Sequence, residues 1–222
     1  MPYRKTPLVS GEYYHIFNRT QNKEPVFVRK SDSERAIKTL NYYRFENPPV
    51  KLSYFLSFGQ ERRNEIFLNL AKASKIVSII TYCLMPNHFH LVLRQEKENG
   101  ISRYLALFQN SFTKYRNVKY SRDGHLFKGQ FKAVRIEDDD QFLHVHRYVH
   151  LNPYSSFTVR TISELEDYSY SSLKEYLNVT KGFCEKEKIM TFFPSLKKYK
   201  NFIYNQADYQ RKLELIKHLV FE

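Results

Sequence analysis

The stretch "KIVSIITYCLMPNHFHLVLRQE", residues 75–96, constrains the fold more than any other part of the chain. A β-branched run ends at Pro86, and a second apolar run starts at His88. The short "MPN" between them leaves room for little more than a tight turn, so the pair reads as an antiparallel β-hairpin. The second run carries two histidines, His88 and His90, around Phe89. Alternate residues of a strand point the same way, so the two imidazoles stand on one face, ~7 Å apart. That spacing suits two ligands of one metal ion or two contacts to one phosphate. A histidine in a core strand is also readily satisfied by a single hydrogen bond. A metal-dependent barrel hydrolase would need a much longer chain with its HxH near the start, and a cupin would need many short strands punctuated by glycine. Six glycines in 222 residues, alongside several long helical patterns, fit neither.

The other elements fall around this hairpin. "GEYYHIFNRT" predicts a strand near 12–18, and "SDSERAIKTLNYYRF" a helix with Ser31 or Ser33 as N-cap. Residues 49–73 read as an extended piece followed by a short basic helix at 60–72. Gly100 opens an amphipathic helix whose Ile101, Tyr104, Leu105, Phe108, Phe112 and Tyr115 form one buried stripe, with Arg103, Lys114 and Arg116 facing elsewhere. "FKAVRIE" (131–137) reads as a strand. "DDDQFLHVHRYVHLNP" reads as a helix with an acidic first turn, favourable to the helix dipole, and stopped by Pro153. The order is β α (variable) β β α β α, a split βαβ, ferredoxin-like α+β core with a central antiparallel sheet. The composition changes near residue 155, which divides the chain into a core at 1–155 and a basic, Tyr-rich helical C-terminal extension at 156–222.

Charge narrows the partner. Lys and Arg number 36 against 23 Asp and Glu, a formal +13, which favours nucleic acid or an anionic membrane surface. No apolar run reaches the ~18 to 20 residues of a spanning helix, and the N-terminal stretch lacks the apolar segment of a signal peptide. Two cysteines far apart point to a reducing, cytoplasmic setting rather than a disulfide framework. Eighteen Tyr and eighteen Phe supply the core and many stacking faces for unpaired bases.

The late helix offers a reactive group. On "QFLHVHRYVHLNP", i and i+4 share a face, so His144, Tyr148 and Asn152 line one side and His146 and His150 another. A tyrosine hydroxyl with its free pKa near 10 is a poor nucleophile, and needs activation or a substrate polarised by a metal. A metal held by His88, His90 and Asn152 would supply that beside Tyr148. Tyr148 as a packing residue of a core helix is the plainer alternative. HxxxH at His146 and His150 is a rival zinc-type pair with no third ligand. Tyr104 and Tyr115 lie on the apolar stripe, and Tyr120 and Tyr154 lie at element ends.

In order along the chain, "YHIFNR" (14–19), "LMPNHFHLVL", "GHLFKGQFKA" and "HRYVHLNP" resemble the single-tyrosine HUH transposases, in particular their REP-associated branch. The resemblance spans roughly residues 10–155. It implies that His88-Phe89-His90 is the family's metal motif, that Tyr148 is its nucleophile, and that Asn152 is the third ligand. It further implies a divalent ion, Mg²⁺ or Mn²⁺, and single-stranded DNA, often folded as a hairpin, as substrate. The implied reaction is cleavage through a 5′-phosphotyrosine followed by rejoining. Family members act as monomers or as homodimers. Arg4, Lys5 and Arg19 near the first strand, and Lys128, Lys132 and Arg135 before the late helix, are candidate DNA contacts. Two further readings stand beside this one: a non-catalytic nucleic-acid-binding protein on the same fold, and a metal hydrolase that uses water.

Overall fold

The computed structural model describes residues 7–220, and the side chains of residues 7–214. Four strands, β1 (Tyr13–Arg19), β2 (Val77–Met85), β3 (His88–Gln95) and β4 (Lys132–Ile136), form one sheet in the order β2-β3-β1-β4. Each neighbouring pair is antiparallel. The hairpin expected at residues 75–96 is β2 and β3, closed by Pro86 and Asn87. Between β1 and β2 come α1 (Lys30–Tyr43), α2 (Leu52–Ser57) and α3 (Gln60–Lys72), while α4 (Gly100–Lys119) links β3 to β4. The helix α5 (Asp139–Ser155) follows β4.

Strand alternation builds a core on each face of the sheet. Tyr14, Ile16, Phe89, Leu91 and Leu93 join Tyr104, Leu105, Phe108 and Phe112 of α4 and residues of α1 in one cluster. Val92, Ile80 and Cys83 join Phe142, Val149 and Leu151 of α5 in the other. His15, Phe17, His88 and His90 alternate with the first cluster and so belong to the α5 face.

Four local expectations are corrected. Helix α1 starts at Lys30 with Arg29 as its N-cap and no side-chain cap, because Ser33 is turned inward, where its hydroxyl donates to Phe27 O at 2.9 Å. The piece expected to be extended contains α2, since Leu52 and Phe55, three apart, bury one helical face. Arg116 does not face solvent. It lies four residues after Phe112 on the same stripe and is buried, donating to Asp32 at 2.5 Å and Glu24 at 2.9 Å. Pro153 sits inside α5 rather than ending it. Its ring removes only one N–H, and the helix closes beyond it through Ser156 N–H to Asn152 O, 3.0 Å.

The chain after α5 forms α6 (Ile162–Asp167), α7 (Leu173–Tyr176), α8 (Glu187–Met190), α9 (Leu196–Tyr204) and α10 (Ala207–Val220). Residues 170–172 run along the outer edge of β2, where Leu84 N–H donates to Tyr170 O (2.8 Å) and Ser172 N–H to Tyr82 O (2.9 Å). That cover explains why all nine residues of an edge strand are buried. Leu173, Tyr176, Tyr199 and Ile203 then share the core under α5. Among the described residues no helix is long and apolar enough to cross a membrane, and Cys83 and Cys184 are free thiols.

Candidate active site

Three elements converge on a cavity of about 520 Å³ on the α5 face of the sheet. β1 supplies His15, Phe17 and Arg19, β3 supplies His88 and His90, and α5 supplies Tyr148 and Asn152. The β1–β3 register sets Phe17 opposite His90, Arg19 opposite His88 and His15 opposite Val92, which places the three histidines on one face of the central strand pair. The His88 and His90 rings lie 5.0 Å apart, and the Tyr148 ring stands edge-on to His90 at 5.6 Å and to His15 at 5.9 Å.

The loop before β4 is clipped onto the end of β1 and completes the wall. Thr20 bridges to Phe127, Lys128 N–H donates to Arg19 O at 2.8 Å, and Asn18 Nδ2 donates to Lys128 O at 2.9 Å. Leu126 and Phe127 are the buried anchors of this loop, so Lys128 is delivered beside the histidines. Lys132 lines the same cavity, its ammonium 5.9 Å from the centre of the Phe17 ring.

Each imidazole is tied at one nitrogen. His88 Nδ1 meets Asn87 Oδ1 at 2.8 Å, and His90 Nδ1 meets His15 Nε2 at 2.9 Å. Burial, with the nearby Arg19 charge, pushes His88 down to about 4. Burial foremost, then His15, His88 and Arg19, holds His90 well below the usual histidine range. Both rings are therefore neutral near pH 7, the state a metal ligand requires. Asn152 Nδ2 donates to Tyr148 O at 2.8 Å, so the ligand atom its side chain can offer is Oδ1. Among the described residues no group of three or more His, Cys, Asp or Glu is arranged to hold a metal ion. His88, His90 and Asn152 offer two imidazoles and one amide oxygen, neutral N and O donors that suit Mg²⁺ or Mn²⁺ only together with phosphate or water oxygens.

The structure brings His88, His90, Tyr148, Asn152, Arg19, Lys128 and Lys132 to one cavity. Arg135 instead pairs with Glu12 at 3.0 Å, and Arg4 and Lys5 lie outside the described residues. His144, expected on the Tyr148 face, is exposed in a separate cleft with Arg147 and Phe202. The imidazoles near Tyr148 come from the sheet. His146 and His150 form no metal pair: all four of their ring nitrogens are bonded, to Thr81, Tyr199 and Ser172. Tyr115 and Tyr120 donate to Asp32, and Tyr154 donates to Asp208. Sequence reasoning missed His15, Asn87 and Glu214, all at or beside the cavity. The alternation of β1 placed His15 on the face of Phe17 and Arg19, which was a usable signal. Glu214 arrives from α10 with no local signal.

Residues 51–152 match the family model described as transposase IS200-like. No curated protein sequence matches the chain. Among solved structures, that of a REP-associated tyrosine transposase bound to a REP hairpin aligns with a TM-score of 0.55 and 14% identity, covering 80% of this chain and 86% of that one; at such identity the likeness concerns the fold. The matched segment runs from the start of α2 to Asn152 and so contains both histidines of β3 and the tyrosine of α5. Over that segment the chain is similar to the IS200-like transposases, and it shares the fold of the REP-associated relative.

Proposed function

We propose that the protein is a metal-dependent single-stranded DNA transesterase with Tyr148 as its nucleophile. The observation that carries this reading is the meeting of Tyr148, Asn152, His88 and His90 of one chain in a cavity rimmed by Arg19, Lys128 and Lys132. The core is read as ferredoxin-like, since β1 and β2 run parallel with β3 between them.

Arg19, Lys128 and Lys132 hold the strand by its phosphates, contacts that position DNA without reading its sequence. Phe17 and the exposed side of the cavity give a splayed base a surface to stack on. His88 and His90 through nitrogen, and Asn152 through Oδ1, would hold Mg²⁺ or Mn²⁺. When bound, such an ion polarises the scissile phosphoryl group and offsets its charge. Tyr148 Oη attacks phosphorus, the phenol loses its proton, and the P–O3′ bond breaks with a proton taken up by the leaving oxygen. The products are a 5′-phosphotyrosine and a free 3′-OH. Attack by a 3′-OH on that phosphotyrosine rejoins the strand and restores the phenol, so bond energy is conserved without a high-energy cofactor. The substrate is a strand carrying a hairpin, by likeness to the relative solved with one.

The test is incubation of the purified protein and Mn²⁺ with labelled single strands from the gene's own flanks, with and without hairpins, on a denaturing gel. A labelled protein band that is absent with Tyr148→Phe, with His88→Ala and with duplex DNA is the expected result. Cleavage that survives Tyr148→Phe without an adduct would make water the nucleophile. Retention of hairpin DNA in a native gel with neither cleavage nor adduct would leave a binding protein.

A further inference from the structure

We infer that His15 is a positioning residue for the candidate metal site, accepting the Nδ1–H of His90 and so presenting the His90 Nε2 lone pair to the ion. This inference rests on the metal reading above. It starts from His88, whose direction is fixed by chemistry. Its Nδ1 faces an amide oxygen, Asn87 Oδ1, at 2.8 Å. An oxygen can only accept, so Nδ1 carries the proton and Nε2 the lone pair. For two imidazoles spaced i and i+2 on one strand face to bind one ion alike, His90 needs the same tautomer.

His15 supplies the matching acceptor. Its Nε2 lies 2.9 Å from His90 Nδ1, and the two ring planes are only 20° apart, as suits an N–H···N bond lying in both rings. β1 reaches His90 diagonally, since Phe17 stands opposite it and His15 is two residues away. A neutral His15 that keeps its proton on Nδ1 has a lone pair on Nε2 to offer. Because Nε2 is spent on His90, His15 is not itself a third ligand. Outer partners of this kind fix both the tautomer and the orientation of a ligating histidine, and their loss costs ~10- to 100-fold in metal affinity.

The experiment uses the full chain labelled with ¹⁵N-histidine. Long-range ¹H–¹⁵N correlation without metal reads each ring's tautomer, and the free Mn²⁺ signal in electron paramagnetic resonance reads binding. Wild type is expected to hold His90 as Nδ1–H. His15→Phe is expected to lose that tautomer and to bind Mn²⁺ ~10- to 100-fold more weakly. His15→Gln, whose amide oxygen can sit where Nε2 sat, is expected to restore binding to within ~3-fold of wild type. An Nε2–H tautomer at His90 in wild type would overturn the inference, as would His15→Phe binding Mn²⁺ as tightly as wild type. Mn²⁺ binding unchanged by His88→Ala would instead overturn the metal reading, and the His90 tautomer would still decide whether His15 accepts from it.

Discussion

Tyr199→Phe removes one hydroxyl 47 residues beyond the end of the family match at 152, yet it cuts the hydrogen-bond chain behind the tyrosine helix. Ser172 Oγ lies 2.9 Å from His150 Nε2, and Thr81 Oγ1 lies 2.6 Å from His146 Nδ1. The Tyr199 hydroxyl bridges the two rings, 3.2 Å from His150 Nδ1 and 3.0 Å from His146 Nε2, so in either direction of the chain it donates to one imidazole and accepts from the other. His146, His150, Thr81, Tyr199 and Ser172 are all fully buried, so water cannot replace a lost partner. Phenylalanine at 199 keeps the ring and removes two bonds of ~1 kcal/mol net each, leaving one buried donor and one buried acceptor unpaired. The expected loss is ~2–4 kcal/mol, read as a lower urea midpoint at unchanged m, with a fall in Tm of ~2–4 °C per kcal/mol for a chain of this size. A Tyr199→Phe protein within ~0.5 kcal/mol of wild type would refute the chain of bonds as drawn.

The same imidazoles set the acid limit of the fold. Burial lowers His150 to about 3 and holds His146 well below its usual value. The unfolded chain takes up protons below ~6.5 that the folded chain refuses, so stability is full above that pH and falls as pH drops from ~6.5 toward ~3. Each such histidine costs ~2 kcal/mol at pH 5 relative to pH 8, and urea midpoints that stay flat over that range would refute the assignment. Gly100→Ala places a Cβ 2.1 Å from Ile76 O, a backbone atom that cannot swing aside. A loss of ~2–3 kcal/mol is expected in the same assay, and a neutral outcome would mean that the start of α4 can shift.

The order of strands and helices was legible because it rests on local periodicity. Alternation in β1, the apolar hairpin runs, and the stripe from Ile101 to Phe112 each carry their own signal. What was misread depends on distant partners. Arg116 has the composition of a surface residue and becomes a core residue only because Asp32, 84 positions earlier, is buried beside it. All nine residues of β2, Ser78 and Thr81 included, are buried because residues 170–172 cover its outer edge, and nothing within residues 75–86 names that partner. Pro153 reads as a stop because the sequence does not show how near the helix already is to its end.

The site divides along the same line. Strand period sets His88 and His90 on one face, and helical period does the same for Tyr148 and Asn152, while the roles of each pair come from the resemblance. Spacing also offered His146 with His150 as a metal pair, and helical period cannot separate the two faces of α5. What separates them is supply: one face meets Thr81, Ser172 and Tyr199, which together occupy every ring nitrogen, while the other opens onto a cavity beside the sheet. Thus the residues after 155 act on the site without entering its motif. By consuming the bonding capacity of one histidine pair they fix α5 against the sheet, and that fixed register leaves Tyr148 facing His15 and His90. In the proposed reaction Tyr148 must meet phosphorus in line with the leaving oxygen, a geometry that a helix free to roll about its axis would lose. The buried histidines, whose ring nitrogens are all occupied, are therefore the part of α5 that holds its Tyr148 face toward the sheet.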